Sequence, residues 1–149
     1  ATPWLGHVRQ SSLGHGRWHG DWRRTNMALT RDGCSVWDWE RFDSGAPLGY
    51  DALHLFLTGR AGSVQDLTTL PADVFANAAR LLRPFGVESR DDAELVTCGY
   101  LLELAGRYLD DGQSTSGARL GTVAHWLLPT LTSILKEPTT GHEQGANEQ

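Results

Sequence analysis

Between residues 27 and 37, two short β-prone runs sit on either side of a tight turn, and this fixes local geometry more firmly than anything else in the chain. Met27-Ala28-Leu29-Thr30 and Cys34-Ser35-Val36-Trp37 flank Arg31-Asp32-Gly33. That is the pattern of a small β-hairpin with an Asp-Gly turn. Strands joined so closely pair antiparallel, so the residue before the first strand and the residue after the second finish side by side. Those residues are Asn26 and Asp38. Hairpin geometry alone therefore predicts that two polar side chains twelve positions apart meet in space.

The segment leading into the hairpin sharpens that expectation. Residues 19 to 26 read His-Gly-Asp-Trp-Arg-Arg-Thr-Asn. This is the H-x-D-x-x-x-x-N spacing of a phosphoryl-transfer loop, with Gly20 in the variable position. In such a loop the aspartate accepts the proton of the attacking hydroxyl and the asparagine holds a magnesium ion. Asp38, opening Asp38-Trp39-Glu40, stands where such enzymes keep their main metal ligand. Asp21 is thus the candidate base, and Asn26 and Asp38 are the candidate metal and nucleotide ligands.

A chain of 149 residues, 40% hydrophobic and 21% charged, predicts one ordinary globular domain with a real core. Its net charge of −5 argues against a nucleic-acid partner, although Arg17, Arg23 and Arg24 gather near the loop. Cys34 and Cys98 form no C-x-x-C unit and read as two buried free thiols. No run of residues approaches a membrane span and no signal-peptide pattern is present, so the expected location is the cytoplasm. The first residue is Ala rather than Met, consistent with a chain processed or cut from a longer one.

Residues 1 to 18 read as an irregular lead-in with one short helix near Trp4 to Gln10. From Pro47 the pattern turns helical. Apolar spacing predicts helices over Tyr50 to Thr58, Pro71 to Leu82, Asp91 to Leu109 and Leu120 to Leu135, the last kinked or broken at Pro129. Residues 1–137 form the expected domain, and 138–149 are polar enough to predict a disordered tail. Several side chains have plainer readings. Glu40 reads as a surface partner of Arg41 rather than as an aid to metal binding, Asp43 sits in a turn, and Asp91-Asp92 and Asp110-Asp111 mark helix ends. Trp18, Trp22, Trp37 and Trp39 read as core rather than as a ligand-stacking wall. His7, His15 and His19 lack the helical context that a zinc site at their spacing would need.

Taken together, Trp18-His19-Gly20-Asp21-Trp22, Asn26-Met27-Ala28, Val36-Trp37-Asp38-Trp39-Glu40 and Pro47-Leu48-Gly49-Tyr50-Asp51 resemble the C-terminal lobe of the aminoglycoside phosphotransferase family, which has a kinase-like fold. The motif match spans about residues 15 to 57, and the helices beyond it fit by pattern. The resemblance implies an α+β, predominantly α, lobe with a small β-hairpin carrying the catalytic loop. It implies ATP and magnesium as cofactors, with Asp21 as base and Asn26 and Asp38 on the metal. His19 belongs to the catalytic set as the residue that orients the loop, and Asp51 braces the loop through backbone hydrogen bonds. The acceptor would be a small polar molecule with a hydroxyl: an aminoglycoside, another sugar or an amino alcohol. Asp110, Asp111 or Glu103 would be carboxylates able to line its pocket.

Family members also carry an N-terminal lobe with a phosphate-contacting lysine. Here about twenty residues precede the loop and Lys136 is the only lysine. Two functional expectations follow. The first is a phosphotransferase lobe, completed by a missing N-terminal lobe. The second is a truncated or degenerate non-catalytic lobe that binds a partner, or a second copy of itself, through an exposed apolar face.

Overall fold

The computed structural model describes residues 13–112 and 119–136. The predicted lead-in helix near Trp4 to Gln10 and the predicted tail at 138–149 lie outside them. Among the described residues four strands and five α-helices follow in order. They are β1 (His15–Trp18), β2 (Met27–Thr30), β3 (Gly33–Val36), β4 (Asp43–Pro47), α1 (Tyr50–Ala61), α2 (Leu70–Leu82), α3 (Arg90–Asp110), α4 (Val123–Trp126) and α5 (Leu128–Lys136). The fold is α+β and mostly helical, with two small two-stranded sheets.

The hairpin forms where the sequence predicts it. Met27 faces Val36, Ala28 faces Ser35, Leu29 faces Cys34 and Thr30 faces Gly33 in an antiparallel ladder. The Trp37 N–H donates to the Asn26 carbonyl at 3.1 Å and carries the ladder one step toward the site. The second sheet was not predicted. The end of the supposedly irregular lead-in is β1, which pairs antiparallel with β4 through an irregularity between Gly16 and Trp18. Asp43 is accordingly a strand residue rather than a turn residue, although its Oδ1 does accept from the Gly45 N–H at 3.0 Å. Gly and Ser with little periodicity hid this pairing, because strands of four and five residues carry almost no pattern of their own.

The helices have readable causes. Pro71 enters the first turn of α2, where its missing N–H costs nothing. Ser89 caps α3 by accepting from the Asp92 N–H at 2.9 Å, while its hydroxyl donates to the Asp92 carboxylate at 2.7 Å. Helix α2 packs on both α1 and α3, and α3 also meets α1, α4 and α5. Leu53 and Leu57 from α1, Val74 and Leu82 from α2, and Tyr100, Leu101 and Leu104 from α3 are buried in one continuous core. Trp126 closes it from α4, its indole N–H donating to the Leu120 carbonyl at 3.0 Å. The predicted break at Pro129 falls two residues earlier. Leu127 separates α4 from α5, and Pro129 lies in the first turn of α5, the position proline tolerates best.

Three smaller expectations are corrected. Cys98 is buried but Cys34 is exposed on the outer hairpin strand. Of the four tryptophans read as core, Trp18 is buried and Trp22 half-buried, whereas Trp37 and Trp39 are exposed. Arg41 pairs with Asp111 at 2.6 Å instead of with Glu40. Among the described residues no helix is long and apolar enough to cross a membrane.

Candidate active site

The loop between β1 and β2 is held in place by bonds from three directions. From below, the Asp51 carboxylate in the first turn of α1 accepts the His19 N–H at 2.9 Å and the Gly20 N–H at 3.3 Å. Burial pushes the Asp51 carboxyl up from its ordinary value, and the two backbone N–H bonds pull the other way. From the side, Arg107 near the end of α3 donates to the Gly20 carbonyl at 2.9 Å and lies 3.7 Å over the Trp18 ring. From within, the His19 ring ties the loop to the hairpin. Its Nδ1 accepts the Asp21 N–H at 3.2 Å, and its Nε2–H donates to the Trp37 carbonyl at 2.9 Å. An acceptor on one nitrogen and a donor on the other is the neutral imidazole. His19 therefore orients the loop, and Trp39 covers its ring at 4.5 Å between centroids.

These supports bring Asp21, Asn26 and Asp38 together. The Asn26 amide donates to the Asp21 carboxylate at 3.0 Å and to the Asp21 carbonyl at 3.0 Å, and it reaches the Asp38 carboxylate at 3.4 Å. The proximity of Asn26 and Asp38 expected from hairpin pairing is present. Asp21 and Asn26 are buried, while Asp38 is exposed. Among the described residues Asp38 is alone outside glycine in having a positive φ, +67° with ψ +55°. That left-handed turn costs an aspartate little and carries the chain into the 3-10 turn at Trp39–Arg41.

The Asp21 carboxylate is enclosed by donors. Arg23 bonds both of its oxygens, and the His54 Nε2 meets Oδ1 at 3.3 Å. Burial raises the Asp21 carboxyl, but the His54 and Arg23 bonds outweigh it and bring the group from 3.8 to about 2. Asp21 is therefore an anion near neutral pH, as a base must be. The Arg23 side chain is half-exposed, so the outward face of the carboxylate is covered by a group that can swing into water.

No group of three or more His, Cys, Asp or Glu side chains able to hold a metal occurs among the described residues. The oxygens that suit magnesium are the Asn26 Oδ1 and the Asp38 carboxylate; in this structure it is the Asn26 Nδ2 that lies 3.4 Å from Asp38, so the amide would turn to present its oxygen. Magnesium sites of this type take one or two protein oxygens and fill the remaining positions with phosphate and water. The residues present fit that ion. Glu103 and Asp111, read as possible acceptor-lining carboxylates, are engaged by Arg107 at 3.1 Å and Arg41 at 2.6 Å.

Four participants were missed from sequence: Arg23, His54, Tyr100 and Arg107. His54 carried a signal, because it lies three residues after Asp51 and so shares its helix face. Tyr100 and Arg107 carried none.

Away from this cluster lies an open groove of about 860 Å³. Met27 and Leu29 on one face of β2, Leu55 and Phe56 of α1, and Leu81 of α2 give it an apolar floor; Arg24, Arg60 and Arg80 also line it. Leu29 is 82% exposed there. No protein-family model, no curated protein and no solved structure matches this chain at a significant level.

Proposed function

We propose that this chain is the catalytic lobe of an ATP- and magnesium-dependent phosphotransferase that modifies a hydroxyl of a small polar acceptor. One observation carries the reading: a single asparagine amide spans two carboxylates, one buried and anionic, the other exposed at a hairpin end. That is the arrangement a base and a metal ligand need to act on one phosphoryl group. The kinase-like lobe and the aminoglycoside phosphotransferase resemblance enter on the same residues.

The chemistry assigned to this chain is positioning and proton transfer. The acceptor oxygen bonds to the terminal phosphorus of ATP as the bond to the bridging oxygen breaks and ADP leaves. The hydroxyl proton passes to Asp21 on the face that Arg23 covers, so Arg23 must first turn outward. Asn26 and Asp38 would hold magnesium, which supplies charge neutralisation at the phosphates. His19, Asp51 and Arg107 fix the loop so that the Asp21 carboxylate keeps its direction, and such orientation is worth orders of magnitude in rate. A net charge of −5 favours a cationic acceptor such as an amino sugar or amino alcohol.

The test is thermal denaturation with and without magnesium-ATP, with Asp38→Asn as control. At a hundredfold excess over the dissociation constant, binding to the folded chain adds about 2.7 kcal/mol. The expected result is a raised midpoint that the variant loses. A cooperatively folded chain whose midpoint ignores magnesium-ATP would refute nucleotide binding by this lobe alone.

The groove favours a second reading, a lobe that works only as a partner-binding module. An apolar floor ending in Leu29, 82% exposed, offers a partner a place to dock. Self-association or partner capture abolished by Leu29→Glu, with no nucleotide effect, would support it.

A further inference from the structure

The side chain deepest behind the candidate base is a histidine that the reaction above does not use. His54, 3% exposed, faces Asp21 with Nε2 and the Tyr100 hydroxyl with Nδ1, at 3.3 and 3.0 Å. Tyr100 is fully buried. We propose that Tyr100 and His54 are positioning residues for Asp21: the tyrosine hydroxyl fixes which imidazole nitrogen carries the proton, and that N–H holds the carboxylate from its buried side. The role in catalysis rests on the phosphotransfer reading; the hydrogen-bond arrangement does not.

Donor and acceptor counting gives the direction of the chain. An ionised carboxylate has no proton to donate, so the His54 Nε2 facing Asp21 must carry one. A neutral imidazole then presents Nδ1 as an acceptor, and the tyrosine O–H is the donor available to it. Burial pushes the Tyr100 phenol well above its ordinary value, which keeps that proton in place. Tyr100 meets only one of the two buried ring nitrogens of His54, and the Asp21 carboxylate is the partner of the other. The result complements the other donors. The Asn26 amide meets Oδ2, His54 meets Oδ1 from inside, and Arg23 alone approaches from the wet side. When Arg23 leaves, two fixed donors still aim the carboxylate outward.

The experiment uses the whole chain labelled with ¹⁵N. Long-range proton–nitrogen correlation of the imidazole rings reports which nitrogen is protonated, and the signals missing from His54→Gln identify His54. The expected pattern near neutral pH is the Nε2–H tautomer, joined by the Nδ1–H form in Tyr100→Phe and shifted at Nε2 in Asp21→Asn. A wild-type His54 in the Nδ1–H form, or a tautomer indifferent to Tyr100→Phe, overturns the proposal. Transfer rates add a readout that packing alone would not move. His54→Leu removes the donor and should cut kcat about a hundredfold at unchanged KM for ATP. His54→Gln restores an N–H near the same point and should recover most of it. Equal rates in folded Leu and Gln variants overturn the positioning role. A wild-type chain with the expected tautomer that transfers nothing refutes catalysis by this chain alone and leaves the hold on Asp21 standing.

Discussion

Gly20 is the position where a single methyl group should cost most for its size. Its φ is +86°, and a Cβ built there lies 2.3 Å from the Arg41 carbonyl oxygen, 2.9 Å from the Arg41 Cβ and 3.0 Å from the Arg107 Nη1. The first of these is backbone and cannot swing aside. Gly20→Ala therefore pays twice. Holding an L-residue in the left-handed region costs about 1–2 kcal/mol. Forcing a methyl into packed atoms costs about 1–3 kcal/mol more. The expected loss is about 2–5 kcal/mol, or a fall in Tm of about 6–15 °C for a chain of this size. Gly86 supplies the control. Its φ is +81°, nearly the same, and an added Cβ there has nothing within 4 Å. Gly86→Ala should lose only the backbone share, and the entropy that alanine removes from the unfolded chain is common to both variants. Urea denaturation of the two variants isolates the steric share as their difference. A Gly20→Ala chain no less stable than Gly86→Ala would mean that the loop does not sit against Arg41 as described, and the geometry argued for Asp21 would fall with it.

Two further outcomes follow from the carboxylates. Asp51→Asn keeps one acceptor but turns an N–H toward another N–H, so it should destabilise the chain by about 1.5–3 kcal/mol in urea titration; a loss below about half a kcal/mol would remove Asp51 as the loop brace. Asp21 has a folded-state pKa depressed from 3.8 to about 2, so its contribution is complete above pH 4 and disappears as pH falls toward 2. Its size is up to about 2 kcal/mol, and the stability lost between pH 6 and pH 3 should be smaller in Asp21→Asn than in the wild type; equal losses would refute the assignment.

The hairpin and the Asn26–Asp38 approach were legible because both depend on residues within about a dozen positions and on a turn with few geometries. The Asp51 contact to His19 and Gly20 was legible only through the family resemblance, since nothing in the spacing from 20 to 51 fixes that distance. The Arg23 cover of Asp21 was missed although the two are neighbours in sequence. An arginine beside an aspartate is ordinarily a solvated pair, and only burial of the carboxylate makes this one matter. Tyr100 reaches His54 across 46 positions through the packing of α3 on α1, which no local pattern encodes. The α4–α5 break was legible at Pro129 but falls two residues earlier, because proline marks a helix start as readily as a kink and the spacing of leucines is the same in both cases.

Helix α3 touches the loop region at two heights, through Tyr100 by way of His54 and through Arg107 on the Gly20 carbonyl. Those residues are seven apart, close to two full turns, so one face of the helix serves both contacts. Point substitutions elsewhere on α3 leave that spacing untouched. Removing or adding one residue between them turns Arg107 by about 100° and moves it about 1.5 Å along the axis, so one of the two contacts must be given up. Length variation in descendants of this sequence should therefore avoid residues 101 to 106 and collect instead at the exposed turn of Arg31 and Asp32, where an insertion disturbs neither contact.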